Sequence, residues 1–201
     1  MVKRPPLPET RPLVSRFLAA RLGGECSTRA YYDEREDHAV AVVEALGSPE
    51  TPLSTFSTAS LHAHENRLEG EDRLEGEDIR VELLMTVLSS HDYAGNVVAT
   101  AAFNIMKSGW LAAPGVVFPD AVREYSATST TPHVMWTEPF VFDDLSTASV
   151  EGVTQDIHWL QAVPLTTREV EFLRAEGYDA LTARLEAGDA PYFDLAREST
   201  V

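Results

Sequence analysis

The histidines, the acids and the one cysteine are the side chains able to do chemistry here, and their spacing limits what that chemistry is. His62 and His64 stand two apart; on an extended segment they project from one face and offer two imidazoles to a metal, with Glu65 alongside. That would suit a metal-dependent hydrolase, but no third and fourth ligand follow at a diagnostic spacing and no His-Glu-x-x-His pair occurs. Cys26 would act as a nucleophile only with a base such as His38 beside it, and as the one cysteine it cannot form an internal disulfide or a cysteine-based zinc cluster. Asp143 and Asp144 look like a paired carboxylate, yet sequence neighbours point apart in an extended chain, so they read as loop acids. His91 and His133 read as solvated or capping residues, and His158, inside an apolar run, as a hydrogen-bonded core histidine. A Gly-x-Ser-x-Gly elbow, a phosphate loop and a dinucleotide fingerprint are all missing. No catalytic, cofactor-binding or metal-ligating residue and no cofactor is therefore expected, and the partner-binding residues are unknown.

Charge is more informative about partners. The chain has 32 acids against 16 bases, a net charge of -16, which repels phosphate backbones and anionic membranes. Nucleic acid and membrane are not expected partners, and a basic protein is the electrostatic complement, although acidity also serves solubility and names no ligand alone. The start, Met1-Val2-Lys3-Arg4-Pro5-Pro6, runs into prolines and Glu9 where a signal peptide needs an apolar stretch. No apolar run has the length to cross a bilayer. A cytoplasmic, soluble protein is expected; nothing in the pattern gives an oligomeric state.

With 44% hydrophobic and 24% charged residues, 201 residues can close one substantial core. We expect a Pro-rich lead over 1–9 and a single domain over 10–201, with an acidic loop insertion at 65–78. In that loop Arg67-Leu68-Glu69-Gly70-Glu71-Asp72 is repeated at once as residues 73–78, too short for a solenoid array and suited to a lengthened hairpin loop. Leu13, Val14, Phe17, Leu18 and Leu22 recur at helical spacing after Thr10 as N-cap, with Gly23 at the end. Residues 25–38 read as polar and irregular, Ala39–Val43 as a buried strand, and 53–64 as extended. Ile79 to Leu88 alternates like a strand entering the core. A helix follows, capped by Asp92 and ended by Gly109, with Tyr93, Val97, Val98, Ala101 and Ile105 on one face and Asn96, Thr100, Asn104 and Lys107 on the other. Runs at 116–118, 134–136 and 140–142 suggest further strands, and 191–195 a last one.

Residues 158–169, His158-Trp159-Leu160-Gln161-Ala162-Val163-Pro164-Leu165-Thr166-Thr167-Arg168-Glu169, pack most structure into least sequence. Ile157, Trp159 and Val163 take one face of a strand from about Asp156 to Val163, and Leu160 and Ala162 the other, so both faces need cover. Pro164 is the expected stop. Thr166 and Glu169 form a Thr-x-x-Glu capping box for a helix burying Val170 and Leu173 up to Gly177; a second helix carries Leu181 and Leu185 to Gly188.

That block resembles the late sheet motif of the suppressor-of-fused domain in its bacterial members. Ser54–Leu61 resembles the family's aromatic strand and its Gly-Leu-Ser-like turn, Arg80-Val81-Glu82-Leu83-Leu84 its Glu-Leu strand, Met135-Trp136-Thr137-Glu138-Pro139 the strand before the late motif, and Pro191–Glu198 its closing Asp-Leu-x-Arg-x-Ser. Order and spacing agree from about residue 10 to 200. Ala59 departs from the usual glycine, the duplicated loop is outside the common pattern, and Ala113-Pro114-Gly115 lacks the acid that animal members carry near a peptide groove, so no peptide-binding residue carries over. The resemblance implies an α+β fold, a mixed and mainly antiparallel sheet with helices packed on it, and a non-enzymatic, protein-binding role. Animal members hold a transcription factor; for bacterial members it implies immunity (antitoxin-like) proteins that neutralise toxins, here with a basic toxin as partner. The alternatives are the metal-dependent hydrolase using His62 and His64, or a regulatory scaffold binding an extended peptide by strand addition at an open sheet edge.

Overall fold

One strand with two apolar faces decides the architecture. The computed structural model describes residues 4–66, 79–188 and 190–201. In chain order its elements are α1 (Arg11–Leu22), β1 (Glu25–Tyr32), β2 (Ala39–Leu46), β3 (Leu53–Thr58), β4 (Arg80–Leu88), α2 (Ala94–Ser108), β5 (Val117–Phe118), β6 (His133–Thr137), β7 (Thr147–Ala148), β8 (Ile157–Leu165), α3 (Thr167–Glu176) and α4 (Tyr178–Ala187). β8 buries Ile157, Trp159, Val163 and Leu165 on one side and Leu160 and Ala162 on the other, as its sequence requires. Helices cover both.

The eight-stranded sheet runs β1-β2-β3-β4-β8-β6-β5, with β7 paired to β8 off this path. β1 to β4 form an antiparallel meander, β5 and β6 pair antiparallel, and β8 enters between the two halves, parallel to β4 and antiparallel to β6. The result is an α+β fold with a mainly antiparallel sheet. α2 lies on one face, its Val97, Val98, Ala101 and Ile105 packed with Val42, Phe56, Leu83, Met85 and Trp136. On the opposite face α1 brings Val14, Leu18 and Leu22 against Val43, Leu84 and Trp159, and Phe17 stacks on the Trp159 ring at 5.3 Å. α3 and α4 cover the rest of that face with Val170, Leu181 and Leu185 over Met135, Val163 and Leu165.

Several boundaries differ from expectation. The polar segment read as irregular contains β1, a strand so exposed that it lacks an apolar signature. Pro164 does not stop β8: it lies opposite Val134 of β6, and the strand runs on to Leu165. Residues 140–142 are not a strand; the N–H groups of Phe140 and Val141 donate instead to the side chain of Gln161. Residues 191–195 are turns, anchored where Leu88 N–H donates to Phe193 C=O. Asp92 does not cap α2, which starts at Ala94 after Tyr93 with no side-chain cap; the Gly109 end is as expected, at φ 64°. Thr10 precedes α1 in helical geometry and gives its hydroxyl to His62 instead of to the helix. The repeat at 67–78 lies outside the described residues.

The capping box is present in full and does more than start α3. Thr166 Oγ1 accepts from Glu169 N at 3.2 Å, and Glu169 Oε2 accepts from Thr166 N at 2.8 Å. The same carboxylate takes two bonds from the Arg197 guanidinium, at 2.6 and 2.8 Å, and the backbone N–H and hydroxyl of Thr200 at 3.0 Å each. Arg197 also donates to Pro164 C=O at 2.7 Å. Both charged side chains are fully buried. Burial pushes the Glu169 carboxyl up, but Arg197 first, then the N–H groups of Thr166 and Thr200, outweigh it and hold the group below the ordinary range. Removing one partner strands a buried charge, so Arg197→Met or Glu169→Gln is expected to lower unfolding free energy in urea titration by about 3 kcal/mol, and the double variant by less than either single change.

Candidate functional site

The sequence-derived metal candidates part company in the structure. Leu61–Ala63 form a single 3-10 turn and not an extended segment, because Glu82 of β4, fully buried, accepts the backbone N–H groups of Leu61 at 3.2 Å and His62 at 3.1 Å. His62 is buried with Nδ1 2.6 Å from Glu82 Oε1 and Nε2 2.8 Å from Thr10 Oγ1, so both ring nitrogens are engaged. It is a tie between β4 and the start of α1. His64 is half-buried, its imidazole pushed down by burial and then by His38 and Arg80. Among the described residues no group of three His, Cys, Asp or Glu side chains can hold a metal ion.

The other candidates are also tied into the scaffold. His91 Nε2 accepts from Leu195 N–H, and His133 Nδ1 accepts from Asp120 N–H while Nε2 bonds Thr167 Oγ1. Burial lowers His133, which matches a ring accepting an N–H at Nδ1. His158 bonds Thr147 Oγ1 at 2.8 Å but is half-exposed and not a core histidine. Cys26 donates to Gly23 C=O, and burial pushes its thiol up, away from the reactive thiolate. His38 lies at the far end of the β1–β2 hairpin from Cys26. Asp143 and Asp144 are loop residues, as expected.

What the structure does assemble is a cleft of about 330 Å³ at the end of β1. One wall is Tyr31, Tyr32, Asp33 and Glu34; the other is the polar face of α2, with Asn96, Thr100, Asn104 and Lys107, joined by Tyr125. Gly95 lets the walls approach: a Cβ there would lie 2.5 Å from the Tyr31 hydroxyl. Tyr31 donates to Glu44 Oε1 at 2.9 Å, and burial followed by that carboxylate pushes its phenol up to about 12. At the floor Asp33 is buried, its Oδ1 accepting N–H bonds from Asp37 and His38, and its Oδ2 3.2 Å from both His38 Nδ1 and Lys107 Nζ. Burial alone would raise this carboxyl; the His38 N–H and ring, Lys107 and the Asp37 N–H outweigh it and hold it well below the usual carboxylate range.

A family model described as Suppressor of fused protein (SUFU) matches residues 36–198. The chain belongs to the suppressor of fused family. The immunity protein YqcF of Bacillus subtilis (strain 168) is 27% identical over 189 residues, covering 94% of this chain and 96% of that relative. The fold is shared with a putative SUFU homologue from Neisseria gonorrhoeae FA 1090, at a TM-score of 0.70 and 13% identity over 94% of this chain and 93% of that one. A chain of a Sufu–Fu complex matches at a TM-score of 0.64 and 13% identity, covering 98% and 93% of the two chains.

Within this family member, the α2 wall of the cleft is the polar face that helical periodicity marks out. The β1 wall escapes a search for apolar runs, though Thr28, Tyr31 and Tyr32 favour a strand, and Asp33 five residues before His38 suits a side-chain-closed turn. Asp33 is depressed in the fold, so its stabilisation is complete above the ordinary carboxylate pKa and drains as pH falls below it. The stability gap between wild type and Asp33→Asn is therefore expected to shrink from about pH 6 to about pH 3 in denaturant titrations.

Proposed function

We propose that this protein is a non-enzymatic, protein-binding member of its family that acts as an immunity protein, neutralising a toxin by occupying it. The observation that carries the reading is the match to an immunity protein along nearly the whole of both chains. Two further features support it. His38, His62, His91, His133 and His158 and the buried acids Asp33, Glu44, Glu82 and Glu169 each make side-chain polar contacts within the fold, as scaffold groups do. The net charge of -16 suits a basic partner, met in the cytoplasm. Steering by that charge makes association fast and salt-sensitive.

The test is co-expression with the product of the adjacent gene. Cells carrying both should grow where the neighbour alone arrests them, the two proteins should co-purify, and affinity should fall about tenfold or more between roughly 50 and 500 mM salt. Salt-independent binding would remove the electrostatic part; continued arrest with no complex would contradict the immunity reading. Elemental analysis checks the competing hydrolase: metal-free protein is expected, whereas stoichiometric zinc or iron lost on His64→Ala would favour the enzyme.

A further inference from the structure

The sheet has two ends of different character. β5 is an edge of two residues, while β1 is an edge of eight without proline, and its one base, Arg29, is drawn to Glu44 with Nε 3.1 Å from the carboxylate. The ladder decides which groups β1 leaves facing outward. Asp33 N–H donates to His38 C=O and Ala59 N–H to Ala41 C=O, so in the antiparallel alternation Tyr31, Arg29 and Ser27 bond to β2. Cys26, Thr28, Ala30 and Tyr32 then direct N–H and C=O away from the sheet, and among the described residues no hydrogen bond reaches those backbone groups. This is a strand-long row of alternating donors and acceptors.

At the end of the row lies the cleft, and its charge is selective. Asp33 and Lys107 offset each other, leaving Glu34 and Glu124 as the acids of a lining that also includes Tyr31 and Tyr125. Carboxylates beside aromatic faces favour a cationic side chain. The chain itself displays such a contact: Arg4 places its guanidinium 4.7 Å from the centroid of Tyr32 and its Nε 3.6 Å from Glu36. A second copy is the poorer occupant, because two chains of charge -16 repel.

We infer that the β1 edge is a docking surface for an extended, cationic segment of a protein partner, which adds to the sheet as a further strand and lodges a lysine or arginine in the cleft. The partner's basic character rests on the immunity reading; the surface rests on the edge and the cleft.

The full chain is titrated with a capped octapeptide of alternating arginine and valine, and with its glutamate–valine counterpart, at low ionic strength. The arginine peptide is expected to bind at least about tenfold tighter and to slow amide exchange at Cys26, Thr28, Ala30 and Tyr32. Ala30→Pro removes one outward N–H, a change an edge strand tolerates, and is expected to weaken binding about tenfold with the melting curve retained; Thr28→Pro is the second variant. Glu34→Lys with Glu124→Lys should weaken it similarly without touching the ladder. Equal binding of both peptides, protection confined to another surface, or a folded Ala30→Pro with unchanged affinity would overturn the inference, as would a wild-type dimer that Ala30→Pro dissociates. The two proposals fail separately. A neighbour-encoded toxin still held by Ala30→Pro removes this surface and leaves the immunity role, whereas a docked peptide with no toxin protection does the reverse.

Discussion

The carboxylate of Glu169 is where the end of the chain is locked to its middle. It receives a two-pronged guanidinium from Arg197, the N–H of Thr166 and both donors of Thr200, with no exposure to water. A carboxylate taken so far from solvent is tolerable only when nearly all its lone pairs are met, and here donors come from β8's end, α3's start and the closing segment. The same arginine holds Pro164 C=O, so the strand, the helix it feeds and the last turns share one charged centre.

The rest of the fold hangs from β8. It is the strand that joins the N-terminal meander to the β5–β6 hairpin, through the parallel seam with β4. A parallel seam cannot be made by a tight turn, and in this chain α2, β5, β6 and β7 intervene before β8 returns beside β4. Glu82 performs on that seam what Glu169 performs at its end: a buried acid gathers the N–H groups of a tight turn and a histidine, tying α1 to the sheet through Thr10. The buried polar groups of this protein thus set the register of its parts. The surfaces left for other molecules are the exposed ones, chiefly the long β1 edge and the cleft beside it.

Where burial leaves a period, the sequence was legible. Trp159 and Leu160 on opposite faces announced a two-sided strand, Thr166 and Glu169 a capped helix, and Asn96, Thr100, Asn104 and Lys107 the polar side of α2, which lines the cleft. β1 was hidden because an edge strand has no obligation to alternate; its pairing comes from β2, a partner supplied by tertiary structure. His62 and His64 misled for a related reason. Extended geometry puts residues two apart on one face, but Glu82, twenty residues on, draws the backbone into a turn and buries one histidine alone. Pro164 misled because its missing N–H costs a strand little where the ladder is about to end, and its carbonyl remains free to bind Arg197. Arg197 itself stands in a closing motif whose type and spacing carry no sign of its partner.

If the Glu169 centre locks the closing segment into the core, that segment cannot open independently of β8. Native-state hydrogen exchange of the Thr200 amide, which donates to Glu169 Oε1 at 3.0 Å, reads this directly. Thr200 is expected to exchange with the same opening free energy as the amides of β8, only through global unfolding. A Thr200 amide that exchanges many-fold faster while β8 stays protected would show a tail that detaches on its own, and would contradict it.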